Sequence, residues 1–154
     1  MREGRGACRY ERWVGPGRFP VHLGVREARR WCLAHLETLP WTGGAPDTVH
    51  SVLLTVPELV TNAHVHAHSS ARLVLTWDGC CLHVSVADDD PELPAPRPAS
   101  TRASSGRGLA IVDAVADGWD AHAFHGGKTI TACFRPPNQP APHACATWGT
   151  ATGT

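Results

Sequence analysis

The stretch that decides the fold is residues 49–63, VHSVLLTVPELVTNA. Apolar side chains recur in it at intervals of three and four residues, which predicts an amphipathic helix with one buried stripe. The stripe consists of Val49, Val52, Leu53, Val56, Leu59, Val60 and Ala63. Pro57 lies inside this helix and lacks the amide that would bond to the carbonyl of Leu53, so we expect a kink there.

A second helix is expected upstream of this stretch. Residues 25–39 place apolar side chains at helical spacing, and Pro40 lies just past them. Asp47 is a suitable N-cap for the central helix, because a short carboxylate accepts hydrogen bonds from the free amides of the first turn.

Downstream, the pattern changes to two hairpins separated by a short helix. The expected strands are residues 71–77, 81–87, 119–124 and 128–134. An Asp78-Gly79 pair marks the first turn, and residues 108–117 have helical spacing. Because hairpins pair antiparallel, we expect an α+β fold, a two-layer sandwich with helices on one face of a mixed, mainly antiparallel sheet.

The chain length fits one domain. We expect it at residues 10–136 of the 154, with flexible tails at 1–9 and 137–154. A segment rich in proline, alanine and serine, at about 90–106, is predicted to be a lid over a binding site.

Composition excludes several classes of function. Fourteen basic and fourteen acidic residues cancel, which argues against direct binding to nucleic acid or to an anionic membrane surface. No apolar run approaches the ~20 residues of a membrane-spanning helix, and the first residues do not look like a signal peptide. We therefore expect a cytoplasmic protein whose six cysteines are free thiols.

Glu58 and Asn62 are the first candidates for chemistry. They are four residues apart on the central helix and so point in nearly the same direction. An amide oxygen suits Mg²⁺, and a carboxylate can accept a proton. The plain alternative is an exposed polar face.

Three further segments hold candidates. Asp88 ends a strand in alternation with Val84 and Val86, so its side chain is expected to face inward, where an adenine amino group could serve as its donor. Residues 104–109, SSGRGL, open a helix whose free amides suit phosphate oxygens. Residues 126–129, GGKT, are most simply a tight turn. Each segment is equally open to a structural interpretation.

Three alternating histidines, His64, His66 and His68, follow the central helix. On a continuing helix, residues two apart diverge by about 200°, so the three cannot share one metal ion. A structural or incidental role is the main interpretation, and a metal-dependent enzyme is the minor alternative.

Taken together and in this order, the segments resemble the GHKL (Bergerat-type) ATP-binding fold. More narrowly, they resemble the small stand-alone histidine-kinase-like ATPases related to anti-sigma factor serine/threonine kinases. The residues that carry the resemblance are 58–63 (ELVTNA) with His66 and Ala67, 84–88 (VSVAD), 106–112 (GRGLAIV) and 127–129 (GKT).

The resemblance implies ATP and Mg²⁺ as cofactors and assigns a role to each matching position. Glu58 and Arg107 would be catalytic, and Asn62 would bind Mg²⁺. The nucleotide would contact Asn62, Asp88, Gly106, Arg107, Gly108, Leu109 and Thr129. Two departures stand out: Pro57 replaces a serine common in the family, and residues 89–91 (DDP) lack its usual glycines.

Two functions follow from the resemblance. The first is a serine/threonine protein kinase of anti-sigma type that transfers the γ-phosphate of ATP to a partner (antagonist) protein. The expected protein partners are of the sigma-factor or anti-sigma-antagonist type. The second is a non-catalytic ATP- or ADP-binding module that sequesters a protein partner. The resemblance also allows a homodimer.

Overall fold

The computed structural model describes residues 12–94 and 107–137. The predicted tail 1–9, residues 138–154 of the other predicted tail and residues 95–106 of the predicted lid lie outside the described residues.

Five strands form one sheet in the order β1-β2-β3-β5-β4. The strands are β1 (Arg12–Phe19), β2 (Ala71–Trp77), β3 (Leu82–Asp88), β4 (Gly118–Phe124) and β5 (Gly127–Phe134). All four strand pairings are antiparallel. The buried positions of β2 and β3 alternate strictly, so each strand presents one face to the core.

Three helices cover one face of this sheet. They are α1 (Gly24–Leu36), α2 (Pro46–Thr61) and α3 (Arg107–Val115). The central helix α2 packs against both other helices and against β3 and β5. The predicted α+β fold with helices on one face is confirmed, and the sheet is antiparallel throughout the described pairings.

The predicted stripe of α2 supplies the middle of the core. Val52, Val56, Val60 and Ala63 are fully buried and Leu59 is nearly so. Val49 and Leu53 are partly buried against the same cluster. The stripe therefore holds α2 in a fixed orientation over β3 and β5, which sets the direction in which its remaining side chains point.

Two details of α2 differ from the prediction. The helix starts with Pro46 and has Ala45 at the N-cap, so Asp47 lies within the first turn instead of capping it. The α-helix also continues through Pro57 to Thr61, where it widens into a single turn of π-helix, here called the π-turn, over Asn62–His66. This irregularity begins five residues after Pro57 and was not predicted.

Strand β1 was not predicted. Its sequence, RWVGPGRF, contains two glycines and a proline, which are unfavourable inside a strand. β1 lies at the edge of the sheet and shifts register between Trp13 and Gly15. An edge strand with a bulge tolerates proline, because the missing amide does not interrupt a central ladder.

The cysteines divide into two groups. Cys32 and Cys133 are free, and burial raises the pKa of each thiol to about 12. Cys80 and Cys81 are each disulfide-bonded, though not to one another, since their Sγ atoms lie 3.9 Å apart; the expectation of free thiols is therefore wrong for these two.

Candidate functional site

Glu58 and Asn62 lie where α2 passes into the π-turn. Both are half-buried, and within the described residues no hydrogen bond or ion pair engages either side chain. π-turns are rare and often found at functional sites, where they turn a side chain away from the regular helical path. The carboxylate of Glu58 and the amide of Asn62 are therefore free to bind a ligand.

The π-turn is held in place by His64. This side chain is 9% exposed, and its Nε2 donates a hydrogen bond of 2.8 Å to the carbonyl of Phe19 at the end of β1. His66 and His68 are exposed. Among the described residues, the three side chains close enough together to hold a metal ion are Asp78, Cys81 and His83, but Cys81 is disulfide-bonded and so cannot supply a thiolate ligand.

Asp88 faces the core, as its alternation with Val84 and Val86 predicts. It is 2% exposed, and its Oδ1 accepts a 2.9 Å hydrogen bond from the amide of Asp90. A buried carboxylate must also find a counter-charge, because desolvation of an unpaired ion is very unfavourable. Here the counter-charge is Lys128, which lies directly opposite Asp88 in the β3–β5 pairing.

Lys128 is 3% exposed and fully hydrogen-bonded. Its Nζ lies 3.0 Å from Oδ2 and 3.2 Å from Oδ1 of Asp88, and 3.3 Å from the carbonyl oxygen of Asp90. The sequence predicted Lys128 as the residue at which a turn passes into the strand 128–134 and assigned it no role in a site. The missed signal was its alternation with Ile130 and Ala132, whose burial places Lys128 on the core face.

Gly127 allows the two strands to approach at this point. A Cβ atom built on Gly127 would lie 2.2 Å from the backbone oxygen of Asp88 and 2.7 Å from the ring of Phe124. Only glycine fits this position without a shift of the backbone, so the ion pair depends on Gly127.

Two hydrogen bonds through Ser69 join the Asn62 segment to the Asp88 segment. The amide of Ser69 donates to the carbonyl of Ala63 at 3.2 Å, and its Oγ accepts from the amide of Asp89 at 3.1 Å. The π-turn also contacts β3 directly. The structure therefore brings Glu58, Asn62 and Asp88 to the same end of the helix–sheet interface.

The third predicted segment is the start of α3. The nine-residue helix begins at Arg107 and packs against α2. Leu109 is 7% exposed and lies in the core, which fixes the first turn of α3 beside α2. Gly106 lies outside the described residues. The first amides of α3, at Arg107 and Gly108, have no intrahelical partners and suit an anion.

Thr129 lies elsewhere. It neighbours Lys128 on β5, so its side chain is on the face of the sheet opposite the helices. There it lines a cavity of about 460 Å³ with Arg18, Arg72, Ser85 and Ala87. The structure does not bring Thr129 to the core-facing side of Asp88.

The extra carboxylates after Asp88 are partly neutralised. Asp89 pairs with Arg72, with 3.2 Å between Oδ1 and Nη1, and the Oδ1 of Asp90 accepts a hydrogen bond from the amide of Glu92. Of the two contacts, only the one with Arg72 supplies a positive charge, and it offsets part of the repulsion that this acidic run would exert on a nucleotide.

Comparison with known proteins identifies a family. A family model described as a histidine kinase-like ATPase domain matches residues 22–134, which is more than half of the chain. That range contains the π-turn, Asp88, the start of α3 and Lys128, and the match supports ATP binding. No curated protein matches the chain. No helix in the described parts of the chain is long and apolar enough to cross a membrane.

Proposed function

Because the chain belongs to the histidine kinase-like ATPase domain family, we propose that it is an ATP-dependent serine/threonine protein kinase of anti-sigma type. It would transfer the γ-phosphate of ATP to a partner protein of the anti-sigma antagonist type, and a sigma factor is a further candidate partner. The observation that carries this proposal is that Glu58 and Asn62, whose side chains have no hydrogen bond or ion pair among the described residues, lie in a segment that Ser69 joins to the end of β3: its amide donates to the carbonyl of Ala63, and its Oγ accepts from the amide of Asp89, the residue after buried Asp88.

The nucleotide would lie between the π-turn, the end of β3 and the start of α3. Asp88 would accept a hydrogen bond from the adenine amino group. The first amides of α3 would bind phosphate oxygens, because a helix N-terminus carries unpaired donors and partial positive charge. Arg107, Gly108 and Leu109 form this helix start; Gly106 would contribute as well, and Arg107 would add a charge-assisted contact.

Mg²⁺ fits the oxygen donors present. The amide of Asn62 has no partner among the described residues, and a neutral oxygen beside a carboxylate is a suitable ligand for a hard cation. When bound, Mg²⁺ would neutralise charge on the phosphates during transfer.

Glu58 would act as the general base. Its carboxylate would take the proton from a seryl or threonyl hydroxyl of the partner as that oxygen forms a bond to the γ-phosphorus and the bond to ADP breaks. This role is supported by the position of Glu58, which is half-buried one helical turn before Asn62, so that both side chains point to the same side of the helix.

The test separates transfer from binding. In Glu58→Gln, ATP affinity measured by isothermal titration should stay within about twofold of wild type, while slow hydrolysis to ADP should fall by about 100-fold or more. Hydrolysis is the readout because water can replace the partner's hydroxyl. Glu37→Gln, an exposed change at the end of α1, is the control.

Two other outcomes would contradict this proposal. Tight ATP binding without turnover in the wild type would favour the non-catalytic module that sequesters a partner. Turnover that survives Glu58→Gln would remove Glu58 from the mechanism.

A further inference from the structure

The face of the sheet opposite the helices holds a cavity that the proposed nucleotide site does not use. It has a volume of about 460 Å³, within the range of pockets that bind small organic molecules. Strands β1, β2, β3 and β5, which are neighbours in the sheet, all contribute to its lining. The lining combines charged, hydroxyl-bearing and apolar residues, including Arg18, Arg72, Ser85, Thr129, Pro16 and Val74.

One row of residues across the four strands forms the polar part of the cavity. Arg18 is paired with Arg72, which is paired with Ala87. Ala87 is in turn paired with Thr129. Side chains of directly paired residues stand next to one another on the same face of a sheet. The methyl group of Ala87 is therefore the floor between the arginines on one side and the hydroxyl of Thr129 on the other.

The two arginines carry more positive charge than their surroundings neutralise. Like charges directly opposite one another on a sheet destabilise it. Arg72 forms an ion pair with Asp89, at 3.2 Å between Nη1 and Oδ1, which occupies one of its five N–H donors. Arg18 is exposed, and within the described part of the chain no hydrogen bond or ion pair engages its guanidinium group or the hydroxyl of Thr129. Two arginines and one aspartate leave the cavity with one uncompensated positive charge and several unused donors.

A pair of arginines suits an anion, and the amount of charge decides between two classes of anion. Guanidinium groups bind carboxylates and phosphates alike, often through two parallel hydrogen bonds. A phosphate monoester carries a charge of about −1.5 to −2 at neutral pH, which exceeds the single uncompensated positive charge of this cavity. A monocarboxylate, with one negative charge, matches it.

The neighbouring row of the cavity is mainly apolar. Pro16 is paired with Val74 on the same face, and each lies two residues from an arginine along its strand, a distance of about 7 Å. The hydroxyl of Ser85, opposite Val74, is hydrogen-bonded to that of Thr131 at 2.9 Å. A ligand whose charged group binds the arginines would therefore place an apolar body of about this length over Pro16 and Val74.

We propose that this cavity is a binding site for a small aliphatic carboxylic acid in its ionised form. The carboxylate accepts hydrogen bonds from both arginines and from the hydroxyl of Thr129, and the hydrocarbon chain covers Val74. The site lies on the other face of the sheet from Asp88, so it stands or falls independently of the proposed nucleotide binding.

The experiment measures the binding of hexanoate and of hexanamide to the full chain by isothermal titration, without nucleotide. The two compounds have nearly the same shape, and a six-carbon chain is long enough to reach from the arginines to Val74, but only hexanoate is charged. We expect hexanoate to bind at one site with a dissociation constant below about 1 mM, and hexanamide to bind at least about tenfold more weakly.

Two variants locate the site. Arg18→Gln removes one guanidinium group and should weaken hexanoate binding by about tenfold or more. Ala87→Leu fills the floor of the cavity, where the carboxylate is expected, and should abolish binding. Arg30→Gln is the matched control, because it removes the same charge from an exposed position on α1, in the layer on the other side of the sheet. Its affinity for hexanoate should equal that of wild type.

Five results would overturn the proposal. The first two are the absence of saturable hexanoate binding in the wild type and equal affinity for hexanoate and hexanamide. An affinity that Arg18→Gln leaves unchanged places the binding elsewhere. Inorganic phosphate bound more tightly than hexanoate would assign the cavity to phosphates instead. A wild-type dimer that Arg18→Gln converts to a monomer, measured by sedimentation, would assign this face to a second copy of the chain.

The test does not depend on the stability of Ala87→Leu. If that variant does not fold, Arg18→Gln decides alone, because Arg18 is exposed and its replacement disturbs no buried contact.

Discussion

The absence of a side chain at Gly127 is a requirement of the site. Because a Cβ atom there would lie 2.2 Å from the backbone oxygen of Asp88, Gly127→Ala must move β5 away from β3. We expect a loss of at least about 2 kcal/mol in the free energy of unfolding, in the range of overpacked buried positions. Urea denaturation followed by circular dichroism measures it.

Gly43→Ala is the matched control for this change. Gly43 is exposed, and a Cβ atom built on it would have no neighbouring atom within 4 Å. Gly43→Ala should therefore lower the free energy of unfolding by well under about 1 kcal/mol. Equal effects of the two substitutions would show that β5 adjusts freely and that the close approach at Asp88 is not needed.

Individual site residues differed in how far the sequence could place them. Asp88 was predictable because its alternation with Val84 and Val86 fixes its face, and the structure confirms that it is buried. Glu58 and Asn62 were predictable as neighbours from helical spacing. Lys128 was not recognised, because a charged residue after two glycines looks like an exposed turn until its counter-charge on the adjacent strand is known.

At the level of elements, the turn between β2 and β3 depends on Asp78. Its Oδ1 accepts hydrogen bonds from the amides of Cys80 and Cys81, and its Oδ2 lies 2.9 Å from Nε2 of His83. Burial acts to raise the pKa of Asp78, but the hydrogen bonds from His83 and the two amides outweigh it and hold the pKa below its ordinary value.

A lowered pKa in the folded state gives stability that depends on pH. The contribution of Asp78 is complete above the unfolded value of 3.8 and is lost as the pH falls through the lower folded value. We expect Asp78→Asn to cost about 1 kcal/mol at pH 7, and the difference from wild type to shrink as the pH approaches 3. Urea denaturation across this range measures it.

The control for this series is Glu37→Gln, which removes one exposed acidic charge at the end of α1. A difference between wild type and Asp78→Asn that stayed constant from pH 7 to pH 3 would mean that the ionised carboxylate adds nothing to the turn.

Helices and strands with regular hydrophobic periodicity could be predicted from the sequence. Elements that contain residues unfavourable to them, or an irregular turn, could not. α2 followed from its stripe, and the strands of both hairpins were predicted to within one residue at each end. β1 was missed because its glycines and proline are tolerated only by its position at the sheet edge, which depends on the whole topology. The π-turn likewise has no local signal, since it is held by His64 bonding to the distant Phe19.

At the scale of the whole molecule, the proposed site exists only in the folded chain. Asn62, Asp88 and the start of α3 come from three separate segments, which α2 and Ser69 bring together. A nucleotide that contacts all three would bind the folded state alone. Ligand binding and unfolding are therefore coupled, and the rise in the free energy of unfolding when nucleotide is added measures binding at this site.

This coupling gives a quantitative prediction. With Mg·ATP at about 100 times its dissociation constant, the free energy of unfolding of wild type should rise by about 2.7 kcal/mol. Asn62→Ala and Asp88→Ala should each lose most of this increment, since each removes one of the proposed ligand contacts. The variants should be compared by this rise in the free energy of unfolding and not by its absolute value. The reason is that Asp88→Ala leaves the buried Lys128 without a counter-charge, which lowers stability before any ligand is added.

Removing Mg²⁺ distinguishes the contribution of Asn62, which is proposed to act through the metal, from that of Asp88, which is not. A chelator should abolish most of the wild-type increment while leaving the stability of the ligand-free protein unchanged, because Mg²⁺ acts through Asn62 and the phosphates. In Asn62→Ala, the chelator should make little further difference, whereas any increment left in Asp88→Ala should remain sensitive to it. Equal increments in wild type and both variants would mean that ATP binds elsewhere, and the three segments would then be neighbours for structural reasons alone.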